Sequence, residues 1–246
     1  MTESDSPAAA PTPEHESTAF NAYAGGLSPE QIAAGWHRTW IGGLWEEMGR
    51  FQFDYLVAEG LAPEMNLLDV GCGCLRGGVH FIPYLEPGRY YGIDVSAPLL
   101  EAGYEVELPA AGLEGRLPRE NLLANGSFEA WRFGVSFDMA LAQSVFTHLP
   151  ANFIRRALIE LARSMAPGGR LYATYFECPD DQPDALTLEH EPGGITSYLD
   201  RDPYHYRPRD LDWLADGLPW RVEHVGDWGH PRAQRMVRFV RVGSAR

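Results

Sequence analysis

The chain contains no lysine; all 20 of its basic residues are arginine. That absence excludes a lysine base, a Schiff base and the phosphate-gripping lysine of a P-loop. Cysteine is almost as scarce. Cys72, Cys74 and Cys178 are too few for a disulfide framework, and none has the histidine or cysteine company of a zinc site, so no metal is expected. No apolar run is long enough to cross a bilayer, and the N-terminus lacks the basic-then-apolar pattern of a secretory signal, so the expectation is a cytoplasmic protein. Positive charge is short overall, 20 basic against 34 acidic residues, for a balance of −14. Phosphate backbones and anionic lipid repel such a chain, so neither nucleic acid nor membrane is an expected partner. What is plentiful is apolar side chain, 45% of 246 residues, ample for a full core.

Three regions are expected. Residues 1–19 combine three prolines with Glu3, Asp5, Glu14 and Glu16 and offer little to bury, which predicts a disordered acidic tail. Residues 20–60 read as a helical cap. Ser28-Pro29-Glu30-Gln31 is a helix start, and Leu44, Met48, Phe51 and Tyr55 follow helical spacing in a second helix. From Leu67 onward strands and helices alternate: Leu67–Val70, Tyr90–Asp94, Leu122–Asn125, Phe137–Ala142 and Leu171–Phe176 as strands, with a helix from Pro150 that runs through Met165 to a stop at Pro167-Gly168-Gly169. Alternation of this kind predicts an α/β, Rossmann-like doubly wound sheet over 61–246. Only about ten residues part the last two strands, near Arg221–Val225 and Met236–Val242, too few for a helical crossover; the final strand should be antiparallel.

The stretch Asp69-Val70-Gly71-Cys72-Gly73-Cys74-Leu75-Arg76 sits between a strand and a helix, where glycines let a ligand approach the backbone and a helix start offers N–H groups. A dinucleotide fingerprint needs glycine where Arg76 stands, so that reading fails by one residue. Asp94 ends the second strand, a place where a carboxylate can accept both hydroxyls of a ribose. The C-x-C of Cys72 and Cys74 reads as part of the turn, without metal or redox chemistry.

In this order the segments resemble the class I S-adenosylmethionine-dependent methyltransferases. The family's acid and G-x-G turn match Asp69, Gly71 and Gly73; its ribose acid matches Asp94 in Gly92-Ile93-Asp94-Val95-Ser96. Its fourth strand looks like Phe137–Ser144, and its Pro-Gly-Gly turn like Pro167-Gly168-Gly169. The resemblance covers roughly residues 67–177 and implies S-adenosyl-L-methionine as cofactor. It implies cofactor contacts at Asp69, Gly71, Cys72, Gly73, Asp94, Val95, Gln143 and Ser144, with Asn125, Ser127 and Phe128 at the adenine. Many members carry a third glycine where Leu75 stands here. Arg76 is placed to reach the cofactor's carboxylate.

Methyl transfer requires an acceptor held in line and, for many nucleophiles, a base. His148 follows the fourth strand, Glu177 the fifth and His230 the sixth, which makes them the catalytic candidates. Residues 179–207 carry seven acids and two arginines and read as an acceptor-binding insertion, its pocket walled by Tyr198, Tyr204 and His205, with Trp228 facing it from a later loop. The expected reaction is methylation of an oxygen or nitrogen on a small-molecule acceptor. A peptide or protein acceptor, and a catalytically silent partner subunit, stay open as alternatives; so does the oligomeric state.

Overall fold

The computed structural model describes residues 27–243. The expected acidic tail lies outside them. Ser28 begins the first helix, α1 (Pro29–Ala33), through a reciprocal cap: its hydroxyl accepts from the Gln31 amide, and the Gln31 side chain accepts from the Ser28 amide. Short α2 (Trp36–Trp40) and longer α3 (Trp45–Ala58) follow, separated by Gly42 and Gly43 in left-handed backbone. This layer is docked on the core through Trp40, Ile41 and Trp45, which pack against Cys74, Leu99 and Ala102.

The sheet begins at β1 (Leu67–Val70), then β2 (Tyr90–Asp94), β3 (Leu122–Ala124), β4 (Phe137–Ala142) and β5 (Met165–Glu177). Helices α4 (Gly78–Tyr84), α5 (Ala97–Ala102), α6 (Leu108–Ala110) and α7 (Ala151–Leu161) lie between strands, and α8 (Pro208–Ala215) precedes the last pair, β9 (Trp220–Gly226) and β10 (Arg235–Arg241). The strand order is β3-β2-β1-β4-β5-β10-β9. The first five strands pair in parallel, and β10 is antiparallel to both β5 and β9, as the ten-residue spacing predicts. The chain order reverses between β1 and β4, so a crevice opens at their carboxyl ends. Core side chains cover both faces: Phe146, Ile154, Leu158 and Phe239 on one, Leu56, Phe81, Tyr90 and Tyr172 on the other. Among the described residues no helix is long and apolar enough to cross a membrane.

Two expectations change. Met165 opens β5 rather than closing α7; the helix stops at Leu161, and the Pro167-Gly168-Gly169 turn is a shift of register, with Phe137 opposite Met165 and Met139 opposite Arg170. The stretch 179–207 is not irregular throughout. It folds into a hairpin, β6 (Thr187–His190) with β7 (Ile195–Tyr198), and returns as β8 (His205–Tyr206) alongside the end of β5. Inside it, Ser197 Oγ lies 2.6 Å from His190 Nε2 and 3.0 Å from His205 Nδ1, and His205 Nε2 donates to the Ala185 carbonyl at 3.1 Å.

The helical layer is latched by Glu107, which ends a π-turn (Gly103–Glu107) after α5 and is 2% exposed. His37 Nε2 donates to one carboxylate oxygen at 2.6 Å; Arg38 donates to both, at 2.7 and 2.6 Å. Burial works against the charge on Glu107, but the hydrogen bonds from His37 and Arg38 outweigh it and hold its carboxyl below the usual range. Breaking a buried pair from one side leaves the other side unsatisfied. Glu107→Ala is therefore expected to lower unfolding free energy by about 3 kcal/mol in urea titrations. Protease cleavage between α1 and α3 should rise with it; unchanged stability would show that the latch is ornamental.

Candidate active site

A cavity opens at the carboxyl ends of β1, β2 and β4, roofed by Ile41 and Gln52 of the helical layer. Its floor is the turn after β1. Gly71 and Gly73 both have positive φ, 71° and 54°. A methyl group on Gly71 would come within 2.5 Å of Val145 Cγ2, so glycine is required there on two counts. The turn's amides are already committed. Gly71 and Cys72 donate to the Ile93 carbonyl, Gly73 to the Asp94 carboxylate at 2.8 Å, and Leu75 to the Cys72 carbonyl. The amides expected for a ligand thus close the turn itself.

Leu75 occupies the third glycine position in left-handed backbone, φ 67°, with its side chain fully buried. The backbone costs about 1–2 kcal/mol for a non-glycine residue, and burying a leucine returns about 1.5–3 kcal/mol. Leu75→Gly should therefore destabilise by only about 2 kcal/mol, less than the loss at an unstrained core leucine such as Leu158→Ala; an equal loss in thermal or urea melts would refute that offset.

Asp94 is 8% exposed, and each carboxylate oxygen takes one backbone amide, from Gly73 and from Ser96, both at 2.8 Å. Burial raises its carboxyl above the usual range, and these amides oppose the rise. Each oxygen retains a second lone pair towards the cavity. Asp69 is likewise buried, accepts from Tyr90 Oη at 2.7 Å, and is pushed by burial up to about 6. Arg76 lines the cavity, and its guanidinium donates to the Ile41 and Gly43 carbonyls at 3.1 and 2.9 Å, tying the roof to the floor.

On the β3 side, Asn125 and Phe128 line the cavity, whereas Ser127 does not. The Asn125 side-chain oxygen accepts the Ser127 and Glu129 amides, and its nitrogen donates to Glu129. Its amide therefore holds the loop, and Phe128, at φ 62°, is turned inward by it. Cys72 and Val95 are on the cavity wall. So are Gln143 and Ser144, above a buried polar network. The Ser144 amide donates to Thr174 Oγ1 at 2.7 Å, and the Ser144 and Thr174 hydroxyls both donate to Gln234.

The catalytic candidates separate. His148, on a 3-10 turn (Phe146–His148), lines the cavity beside Val145, Leu149 and Phe153, and its Nδ1 lies 2.5 Å from Asp202. His230 lies behind the wall: Nδ1 accepts the Arg232 amide, and Nε2 is 3.0 Å from the Gln143 side chain. Glu177 is off the cavity as well, hydrogen-bonded by Tyr175 and paired with Arg235. The four acceptor-side aromatics also lie off the wall. Tyr198 is capped by Arg201, Tyr204 stacks on Tyr206, His205 is tied to Ser197, and Trp228 packs against Phe51 and Tyr55. These rings brace the insertion and the roof because a two-stranded hairpin has no core of its own. Ile41, Gln52, Val145, Leu149 and Phe153, none of them anticipated, line the cavity instead. Gln52 alone gave a signal, a polar residue amid the apolar helical spacing of α3.

Residues 68–171 match a family described as a methyltransferase domain. The protein named probable methyltransferase ltbC, from Aspergillus luteorubrus, is 33% identical over 110 residues, which are 43% of this chain and 38% of that one. In fold, the chain is similar to S-adenosylmethionine-bound CalS10, an amino pentose methyltransferase from Micromonospora echinaspora, with TM-score 0.57 and 17% identity over 88% of this chain and 98% of that one. The CcbJ methyltransferase from Streptomyces caelestis gives TM-score 0.59 at 15% identity, over 79% and 90%. The fold and the turn define a Rossmann-like, class I methyltransferase architecture. Residues 68–171 are thus similar to a methyltransferase domain, and the chain spans well under half the length of the curated relative it matches.

Burial pulls the His230 imidazole down to about 4, so the native ring is neutral. An unfolded histidine titrates near 6.5, and a depressed folded value means the stabilisation is complete above that pH and is lost as pH falls towards 4. The shift corresponds to about 3 kcal/mol. His230→Gln should flatten the acid limb of stability between about pH 6.5 and 4, measured as urea midpoints against the parent protein; parallel limbs would refute a neutral buried ring.

Proposed function

We propose that the protein transfers the methyl group of S-adenosyl-L-methionine to an oxygen or nitrogen of a small-molecule acceptor. The observation that carries this reading is the turn after β1, whose Gly71, Cys72 and Gly73 amides are bonded to the end of β2. A pyrophosphate would need such amides for itself, whereas an uncharged ribose needs only the lone pairs of Asp94. Asp69 and Asp94 make that end of the cavity suited to a ligand carrying positive charge. Bound there, the cofactor would supply a methyl group on a sulfonium, already activated for displacement.

The chain's own residues then have distinct tasks. Gly71, Gly73 and Asp94 fix the ribose end, and Phe128 offers a face for the base. Ile41 covers the turn at Gly73, and Leu149 and Phe153 exclude water from the wall beside His148. Gln143 and Ser144, held from below by Thr174, Gln234 and His230, orient the acceptor, and His148 is the group at the wall that can take up a proton. The apolar lining near His148 favours a small molecule over a peptide, which would need an extended groove.

Calorimetry with S-adenosylmethionine and with NAD tests the reading, and a labelled-methyl acceptor screen follows. Asp94→Ala is expected to weaken S-adenosylmethionine binding roughly 10- to 100-fold, the loss of hydrogen bonds to a charged group. Near-parental affinity, or binding of NAD alone, would overturn it.

A further inference from the structure

Gln52 is a polar residue in a place that asks for an apolar one. It stands on the buried face of α3 with Met48, Gly49 and Leu56, is 4% exposed, and lines the cavity. Among the described residues its side-chain amide has no hydrogen-bond partner. The cavity's other charged and amide side chains, Asp69, Arg76, Asp94, Asn125 and Gln143, are each bonded within the fold. Two glycines bring Gln52 to its place. A Cβ on Gly49 would lie 2.5 Å from the Arg76 carbonyl, and one on Gly77 would lie 2.6 Å from Gln52 Oε1. Helix α3 thus crosses the start of α4 where neither has a side chain to hold them apart. A buried amide without a partner is costly, and this crossing sets one beside the turn that follows β1.

We propose that Gln52 reads the α-amino-acid end of S-adenosylmethionine, and that this contact docks the helical layer over the site. The inference rests on the methyl-transfer reading above. Strand order divides the cavity: Asn125 and Phe128 follow β3, Asp94 ends β2, and the remaining wall lies over β1 and β4. With the base and ribose at β3 and β2, the two other arms on the sulfur fall to β1 and β4. One is the methyl group and the other is the amino-acid chain. The β4 wall is Val145, Leu149 and Phe153 around His148, whereas the β1 side carries Gln52, Arg76 and Asp69. An ammonium and a carboxylate need hydrogen bonds when they leave water, and the β1 side is where the wall offers them. An amide suits a zwitterion, since its oxygen accepts from an ammonium and its nitrogen donates to a carboxylate.

The roof is otherwise anchored by the chain itself. Ile41 Cγ2 lies 3.2 Å from the Cβ position on Gly73, and Arg76 Nη1 is shared between the Ile41 and Gly43 carbonyls. Arg232, from the loop between β9 and β10, donates to the Gly42 carbonyl at 2.5 Å. The two arginines tie down the turn between α2 and α3, and Gln52 is the roof's contact to the ligand. Methylthioadenosine, an adenosine thioether without the amino-acid end, meets Asp94 and Phe128 but gives Gln52 nothing to bond. The roof therefore separates the two ligands by the interaction at one amide.

Calorimetry on the full chain with S-adenosylmethionine and with methylthioadenosine decides the matter. Gln52→Met keeps the length of the side chain and removes its amide. It is expected to weaken S-adenosylmethionine roughly 10- to 100-fold, the loss of hydrogen bonds to charged groups, and to shift methylthioadenosine less than about twofold. Without ligand the variant should melt no lower than the parent, because an uncompensated amide has been removed. Gln52→Asn withdraws the amide by one methylene without removing it, and should show the same selective loss. Protease cleavage between α1 and α3 is expected to slow in the parent with S-adenosylmethionine and not with methylthioadenosine. Equal weakening of both ligands, S-adenosylmethionine affinity unmoved in both variants, or equal protection by the two ligands overturns the proposal. A parent that binds neither ligand defeats instead the methyl-transfer reading on which it rests.

Discussion

The structure turns on one carboxylate. Asp94 ends β2, and its two oxygens grip the amides of Gly73 and Ser96. One bond closes the turn that follows β1; the other starts the helix that follows β2. The starts of two crossovers are thereby locked to the end of a single strand. Burial of the carboxyl is costly, and the two amides offset only part of that cost. The remaining lone pairs point where a ligand can use them. A folded protein keeps such a residue because the same geometry that closes the turn also leaves it half-satisfied on the cavity side.

A second constraint follows from the first. Because Gly71, Cys72 and Gly73 give their amides to β2, the floor of the cavity is rigid but poor in donors. The other polar groups on the wall must come from elsewhere, and the chain brings them from three directions. Arg76 reaches up to Ile41 and Gly43 in the helical layer. Gln143 and Ser144 are held from beneath by Thr174, Gln234 and His230. His148 is held from the side by the insertion. The helical layer and the insertion thus complete a site that the sheet only begins, which explains why so many of their aromatic rings are committed to packing: rigid supports are needed for groups on short or irregular segments.

The parts legible in the sequence are those whose signal is local. The Asp69–Gly73 turn, Asp94 at a strand end and the ten-residue spacing before β10 all announce themselves within a few residues. Leu75 shows the limit of that reading. A leucine where glycine is usual suggests a relaxed turn, yet the backbone stays left-handed and burial of the side chain compensates. Four-residue strands such as β6 and β7 are too short to establish a period, so the hairpin was invisible as such. Aromatic residues in the insertion looked like pocket walls, since composition alone does not distinguish a ring that meets a ligand from one that braces a hairpin. Glu107 was hidden in an irregular π-turn, and its partners lie about 70 positions away.

Distance along the chain also governs the chemistry. His148 could be singled out by its place after β4, but its Asp202 partner depends on β8 joining the sheet beside β5, a pairing carried by only two residues of β8. Nothing in the sequence near either residue declares it. The insertion carries an acidic excess of −5 within 179–207, which by itself is compatible with a cationic acceptor but more commonly means solvated acids. The structure gives two of those acids partners within the fold. Asp202 is paired to His148, Asp210 just beyond the insertion is held by Arg207, and Asp180 lies 3.8 Å from Arg209. A net charge is therefore a poor guide to what a site binds, because a carboxylate such as Asp202 is directed at the neighbouring His148 ring and not at the cavity as a whole.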